Sequence, residues 1–226
     1  MIRDISIHPT SKERPYVYTP PAFREDNPDA LRAMIREARL CNLVTATAEG
    51  LMSTPLPLYL VPDEGEHGTL YGHMAKANPQ WKAAPIGDAL AIFMGPDAYI
   101  TPSWYASKKE HGRVVPTWNY LAVAAYGPVE FFEETDRLRE VVTRLTNLQE
   151  QQRSDPWSVS DAPEPFVEAQ LKGIVGVRLP IRRIEGKRKM SQNRPLEDRR
   201  GVAEGLAASD NPVDQIVSRL IPISKD

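Results

Sequence analysis

Apolar residues recur at Leu31, Met34, Ile35 and Ala38, the i, i+3, i+4, i+7 spacing of one helix face. Asn27 precedes this run as a cap, and Pro28 takes the first helical position, where its missing N–H costs nothing. The period then changes. Residues 42–47 alternate polar and apolar, Glu49-Gly50 reads as a turn, and residues 52–61 return as a strand. Pro55 and Pro57 fall inside that return strand, so a hairpin with a partly unpaired second arm is expected. Further strands are predicted over residues 69–74 and 89–94, the second turning at Gly95-Pro96-Asp97 into Ala98-Tyr99-Ile100. Asn78-Pro79 starts a short helix over 80–84, and the β-branched, aromatic stretch 114–132 holds two strands or one bent near Gly127-Pro128.

The second half is more helical. Leu138, Val141, Val142, Leu145 and Leu148 predict a helix capped by Thr135, and shorter helices are expected over 166–171 and 196–208. A third Asn-Pro pair, Asn211-Pro212, starts a helix with Val213, Ile216, Val217 and Leu220 on one face. Between them, residues 173–184 read as a strand. The order predicts an α+β fold, mainly β with peripheral helices, in which the hairpin-like spacing favours antiparallel pairing.

Composition narrows the chemistry. With 21 prolines in 226 residues, a long helical bundle is excluded. A single cysteine, Cys41, excludes an intrachain disulfide and any multi-cysteine metal centre, and its expected role is a small buried apolar residue. The four histidines show no metal-ligand spacing. No nucleophile elbow, G-x-G-x-x-G or Walker A pattern is present, so a bound nucleotide would not use a Rossmann or P-loop cradle. No apolar run is long enough for a signal peptide or a membrane span, and the chain is expected to be soluble and cytoplasmic. The net charge is only −2, but residues 182–200 carry eight basic groups against three acidic ones. Residues 130–168 carry ten acidic groups against four arginines.

Three segments could carry a site. In Gly72-His73-Met74-Ala75-Lys76-Ala77-Asn78-Pro79, a lysine sits between a strand end and a capped turn, where a phosphate could be held. A lysine exposed in a connecting turn would look the same. Ser103-Trp104-Tyr105 and Thr117-Trp118-Asn119-Tyr120 set aromatics beside small polar groups, suiting either a flat-ring pocket or ordinary core packing. Lys187, Lys189, Ser191 and Asn193 would share one face if the preceding strand continued, favouring an anionic ligand.

The motifs Tyr18-Thr19-Pro20, Phe23-Arg24-Glu25, Gly72-His73 through Trp81, Gly95 through Ile100, His111 through Tyr120 and Lys189 through Arg194 resemble the PaiB-type family, described as FMN-binding negative transcriptional regulators. The resemblance runs from Tyr18 to Leu220 and implies one domain over 18–226, with 1–17 as a flexible arm. It implies an antiparallel split β-barrel of the FMN-binding, pyridoxamine-phosphate-oxidase-like type, forming a homodimer with flavin at the interface. It places cofactor-binding candidates at Thr45, Thr47, Ser53 and Thr54 on the first hairpin and at His73, Lys76 and Asn78 beyond it. Lys76 would hold the phosphate. Trp118, Asn119, Lys189, Ser191 and Gln192 follow as candidates that a second subunit could supply. Three functions stay open: a regulator that contacts DNA, a flavin-dependent oxidoreductase, and a haem-handling protein using His73 or His111. No residue stands out as a catalytic acid or base.

Overall fold

The computed structural model describes residues 17–224. The arm expected over 1–17 therefore lies, Val17 apart, outside the described residues. In chain order the elements are β1 (Arg24–Glu25), α1 (Pro28–Glu37), β2 (Cys41–Thr47), β3 (Gly50–Leu56), β4 (Leu58–Val61), β5 (Thr69–Ala75), β6 (Ala89–Ile100), α2 (Ala106–His111), β7 (Thr117–Gly127), β8 (Glu130–Phe132), α3 (Thr135–Glu150), α4 (Glu164–Leu171), β9 (Ile174–Pro180), β10 (Arg183–Lys189), α5 (Leu196–Ala207) and α6 (Pro212–Leu220).

The strands form a six-stranded sheet in the order β1-β10-β7-β6-β2-β3 and a four-stranded sheet in the order β4-β5-β9-β8, every pair antiparallel. The chain passes between the sheets at Pro57, residues 76–88, Pro128 and residues 181–182, which closes the split β-barrel. Leu43, Ala91, Phe93, Val123 and Ala125 from the larger sheet meet Leu70, Val175, Val177 and Leu179 from the smaller, with Leu31 and Ile35 of α1 closing the same core. Burying side chains of this size stabilises by about 1.5–3 kcal/mol each. Beyond the smaller sheet, α5 and α6 cover the same inner face at Ala98, Ile100 and Leu121, while α3 and α4 cover the outside of the smaller sheet through Phe132, Leu138 and Leu171.

The sheet crossings overturn several expected boundaries. The single arm expected over 52–61 is two strands in different sheets, because the imide at Pro57 has no N–H to continue either ladder. The stretch 114–132 divides in the same way at Pro128, and the expected strand 173–184 divides into β9 and β10. Gly95-Pro96-Asp97 is not a turn but a bulge inside β6, where pairing to β7 slips between Met94 and Asp97. Gly95 is required there: a Cβ would stand 2.8 Å from Leu121 Cβ. The helix expected over 80–84 is a single 3₁₀ turn, Pro79–Lys82, and the polar loop before β7 contains α2.

Local signals fare better than the packing of faces. Asn27 Oδ1 accepts from Asp29 N at 2.9 Å and Ala30 N at 3.1 Å, and Asn211 caps α6 in the same way. Thr135, expected as a cap, is the first residue of α3, and Glu134 stands at the cap position without a side-chain bond. Val213 and Ile216, expected on one face with Val217, are exposed while Val217 is buried, and Leu148 near the end of α3 is exposed as well.

Candidate functional site

Alternation along the first hairpin decides which side chains face the barrel. Cys41, Leu43 and Thr45 of β2 point inward, as do Thr54 and Leu56 of β3, which pairs Leu43 with Thr54. Ser53 therefore points outward, and Thr47 is spent on the turn, donating to Gly50 O at 2.9 Å and accepting from Glu49 N at 3.2 Å. Cys41 is buried as expected, and burial pushes its thiol up to about 12, which leaves it unreactive at neutral pH.

Below the inner face of this hairpin lies the 3₁₀ turn Pro79–Lys82. Asn78 caps it, accepting from Gln80 N at 2.9 Å, and Asn78 Nδ2 donates to Thr54 Oγ1 at 2.8 Å. Thr54 Oγ1 donates in turn to Gln80 Oε1 at 2.5 Å. Gln80 Nε2 donates to Leu43 O at 3.1 Å and to Thr45 Oγ1 at 3.0 Å. Gln80 and Thr45 are each only 1% exposed, whereas Thr54 and Asn78 are half-buried at the open end. Three of the expected residues thus converge through a fourth. Gln80 was visible in the Asn-Pro-Gln-Trp motif, but nothing local to it announced that it would be buried.

Lys76 and His73 lie apart from that network. Lys76 N donates to Gly173 O at 2.8 Å, and its ammonium pairs with Glu133 Oε1 at 2.5 Å, both side chains about half exposed. His73 lies on the opposite face of β5 from buried Leu70, Gly72 and Met74. Its Nδ1 is enclosed without a hydrogen-bond partner, and burial lowers its pKa below the ordinary 6.5. His111 Nδ1 accepts from Arg113 N at 3.0 Å.

A second polar group forms where β7 meets β10. Asn119 Nδ2 donates to Ser191 Oγ at 2.9 Å, both residues buried, and Ser191 holds φ at 60°, a left-handed conformation uncommon for a residue with a Cβ. That conformation ends the alternation expected to continue past Lys189. Lys189 Nζ donates to Thr117 Oγ1 at 2.5 Å and to Trp118 O at 2.6 Å. Burial, then the neighbouring charges of Lys187 and Arg194, lower the Lys189 pKa. Gln192 folds back on its own turn, accepting from Met190 N at 2.6 Å and donating to Arg188 O. Trp118 is half exposed and meets Tyr99 edge to face at 5.8 Å; Tyr99 was not among the expected residues.

The register fixes the distance between the groups. Thr54 pairs with Leu43, Leu43 with Ala91 and Ala91 with Ala125 of β7, while Asn119 lies six residues from Ala125 on that same strand. At the rise of an extended strand that is about 20 Å along the sheet. The donor set fits such a molecule in pieces: an ammonium for a phosphate, uncommitted amide and hydroxyl valences for hydroxyl groups, and exposed aromatic faces for a flat ring. Among the described residues no cluster of His, Cys, Asp and Glu could hold a metal ion, and no helix is long and apolar enough to cross a membrane.

Comparison with known proteins points to the same cofactor. Residues 17–183 match the family model described as "Putative FMN-binding domain". The protein named "Protease synthase and sporulation protein PAI 2" of Bacillus subtilis is 34% identical over 197 residues, covering 87% of this chain and 92% of its own. An uncharacterised protein of Aspergillus fumigatus is 35% identical over 237 residues, covering 84% and 91%. Two solved structures share the fold at 13% identity. The FAD and heme binding protein from Mycobacterium smegmatis has a TM-score of 0.54, with 74% of this chain and 73% of that one covered. The flavocytochrome Anf3 from Azotobacter vinelandii has a TM-score of 0.52, with 74% and 69% covered.

The enclosed imidazole of His73 gives a pH dependence of known sign. Its folded pKa lies below the unfolded value, so unfolding takes up a proton and stability falls as pH drops below about 6.5. Chemical denaturation at pH 7.5 and 5.5 should show this loss, at most about 1.4 kcal/mol per pH unit for one proton. The variant His73→Gln should flatten that slope; an unchanged slope would place its origin elsewhere.

Proposed function

The chain belongs to this FMN-binding family, and we propose from that premise that it is a homodimeric FMN protein whose cofactor sites are completed across the subunit interface. The observation that carries the dimer is the separation of about 20 Å between the Thr54–Asn78 end and the Asn119–Ser191 end of one sheet. Two groups so far apart favour contributions to one flavin from different copies. The outer face of the six-stranded sheet supports this. It exposes Leu51, Met94, Tyr99 and Trp118, an apolar set that a second copy of the same surface would cover.

FMN is the cofactor, and when bound it supplies the redox chemistry; the protein supplies position, charge and exclusion of water. Lys76 meets the phosphate, which replaces the Glu133 carboxylate as its partner, one anion for another. Trp118 and Tyr99 offer faces to the ring. Among the described residues none stands out as a catalytic acid or base, and the reading stops at flavin binding and electron exchange.

A regulatory role is the second reading, favoured by the basic segment 182–200. Several of its cations are already engaged: Lys187 Nζ donates to Tyr18 O at 2.9 Å, Arg188 to Leu220 O at 2.8 Å, and Arg200 pairs with Glu197 at 2.9 Å. Regulation would then act through the flavin-bound dimer more than through a free basic surface on DNA.

Two substitutions test the main reading. Lys76→Ala should weaken FMN about fivefold, the ~1 kcal/mol of a half-exposed pair, and leave riboflavin, which lacks the phosphate, unchanged. Equal loss for both ligands would remove Lys76 from the phosphate site. Met94→Glu should convert dimer to monomer in sedimentation and abolish FMN retention, whereas a monomeric wild-type chain that binds FMN fully would contradict the shared site.

A further inference from the structure

The donor and acceptor roles of Asn78, Thr54 and Gln80 are fixed by two backbone groups that have no choice of role. The carbonyl of Leu43 can only accept, so Gln80 turns Nε2 toward it and Oε1 toward Thr54. Oε1 can only accept, so the single proton of the Thr54 hydroxyl is committed to Gln80. The backbone N–H of Gln80 can only donate, so Asn78 turns Oδ1 toward it and Nδ2 toward Thr54. After these assignments the open end retains one N–H on Asn78 Nδ2 and one lone pair on Thr54 Oγ1.

Each valence is inclined at about 110–120° to the line joining the two atoms, which are 2.8 Å apart, so a donor and an acceptor stand side by side. A ligand must therefore bring two neighbouring atoms, one accepting from Asn78 and one donating to Thr54. A phosphate brings acceptors alone and would leave the Thr54 lone pair facing an anion. The 3₁₀ turn beneath has four residues, too short for a helix dipole to alter that balance. A vicinal diol has the required pattern, with one hydroxyl accepting and the next donating.

We infer that the Thr54–Asn78 edge binds adjacent hydroxyls of a polyol chain, here the ribityl chain of the flavin, and that Gln80 is the positioning residue that sets Thr54 as an acceptor. This rests on the reading of the chain as an FMN protein. It separates two functions that lie two residues apart, with charge recognised at Lys76 and the sugar chain recognised at Asn78 and Thr54. Gln80 never touches the ligand. Its burial makes it effective, since inside the barrel it has no water to bond instead.

The test is a set of dissociation constants for FMN, riboflavin and lumiflavin, which keeps the ring with its imide edge but has a methyl group in place of the ribityl chain. Thr54→Val and Gln80→Met should each weaken FMN and riboflavin by the same factor, roughly three- to tenfold, and leave lumiflavin unchanged. Thr54→Ser should restore riboflavin binding, a rescue that a purely structural role would not give. Gln80→Met takes away the partner of the Thr45 and Thr54 hydroxyls and could fail to fold; Thr54→Val, at a half-buried position, then carries the test alone. Equal loss for lumiflavin would assign this edge to the ring and overturn the inference, as would unchanged binding of all three ligands by Thr54→Val. A wild-type chain that binds no FMN would overturn the cofactor reading itself, a result distinct from either.

Discussion

A carboxamide sealed inside a barrel must find its partners in the protein, because each unmade bond costs about 1–3 kcal/mol. Gln80, 1% exposed, finds them on two strands: the Leu43 carbonyl and Thr45 hydroxyl on β2 and the Thr54 hydroxyl on β3, while Asn78 accepts from its backbone N–H. The link after β5 is thereby tied to the first hairpin, across the seam where the chain changes sheets. The Gln80 side chain thus ties β2 to β3 and sets the direction of the two exposed valences.

The rest of the architecture determines what those valences can do. Three of the four sheet faces are covered within the chain: the two inner faces by each other and by α1, α5 and α6, and the outside of the smaller sheet by α3 and α4. The outside of the larger sheet is left with Leu51, Met94, Tyr99 and Trp118 in water. An extended sheet separates the two polar groups, so the surface that favours association and the incompleteness of each site have one origin. Binding of a long, bifunctional ligand and pairing of subunits are on this account coupled by geometry.

What could be read from the sequence was what local chemistry decides. Asn-Pro starts at 27–28, 78–79 and 211–212 are legible because the cap and the ring of proline act within a turn. Helix and strand periods were legible for the same reason. The division of 52–61 and 173–184 was not, because a strand that leaves one sheet for another keeps its alternation while its partners change. Among the candidate residues, Thr45, Thr54 and Asn78 are named through the family resemblance, and the structure brings them together around Gln80. Gln80 was passed over because a glutamine after Asn-Pro reads as solvated; only the long-range return of β2 and β3 over it makes it central. Lys76 was legible as a cation at a turn, but its pairing with Glu133 depends on the approach of β8 and could not be seen in sequence.

The most direct measurement is a crystal structure of the full chain with FMN bound. The account predicts a two-fold dimer, with ribityl hydroxyls against Asn78 Nδ2 and Thr54 Oγ1 of one subunit and the phosphate on Lys76 in place of Glu133. A flavin seated wholly within one subunit, or one whose sugar chain lies away from Thr54 with Gln80 unchanged beneath it, would contradict it.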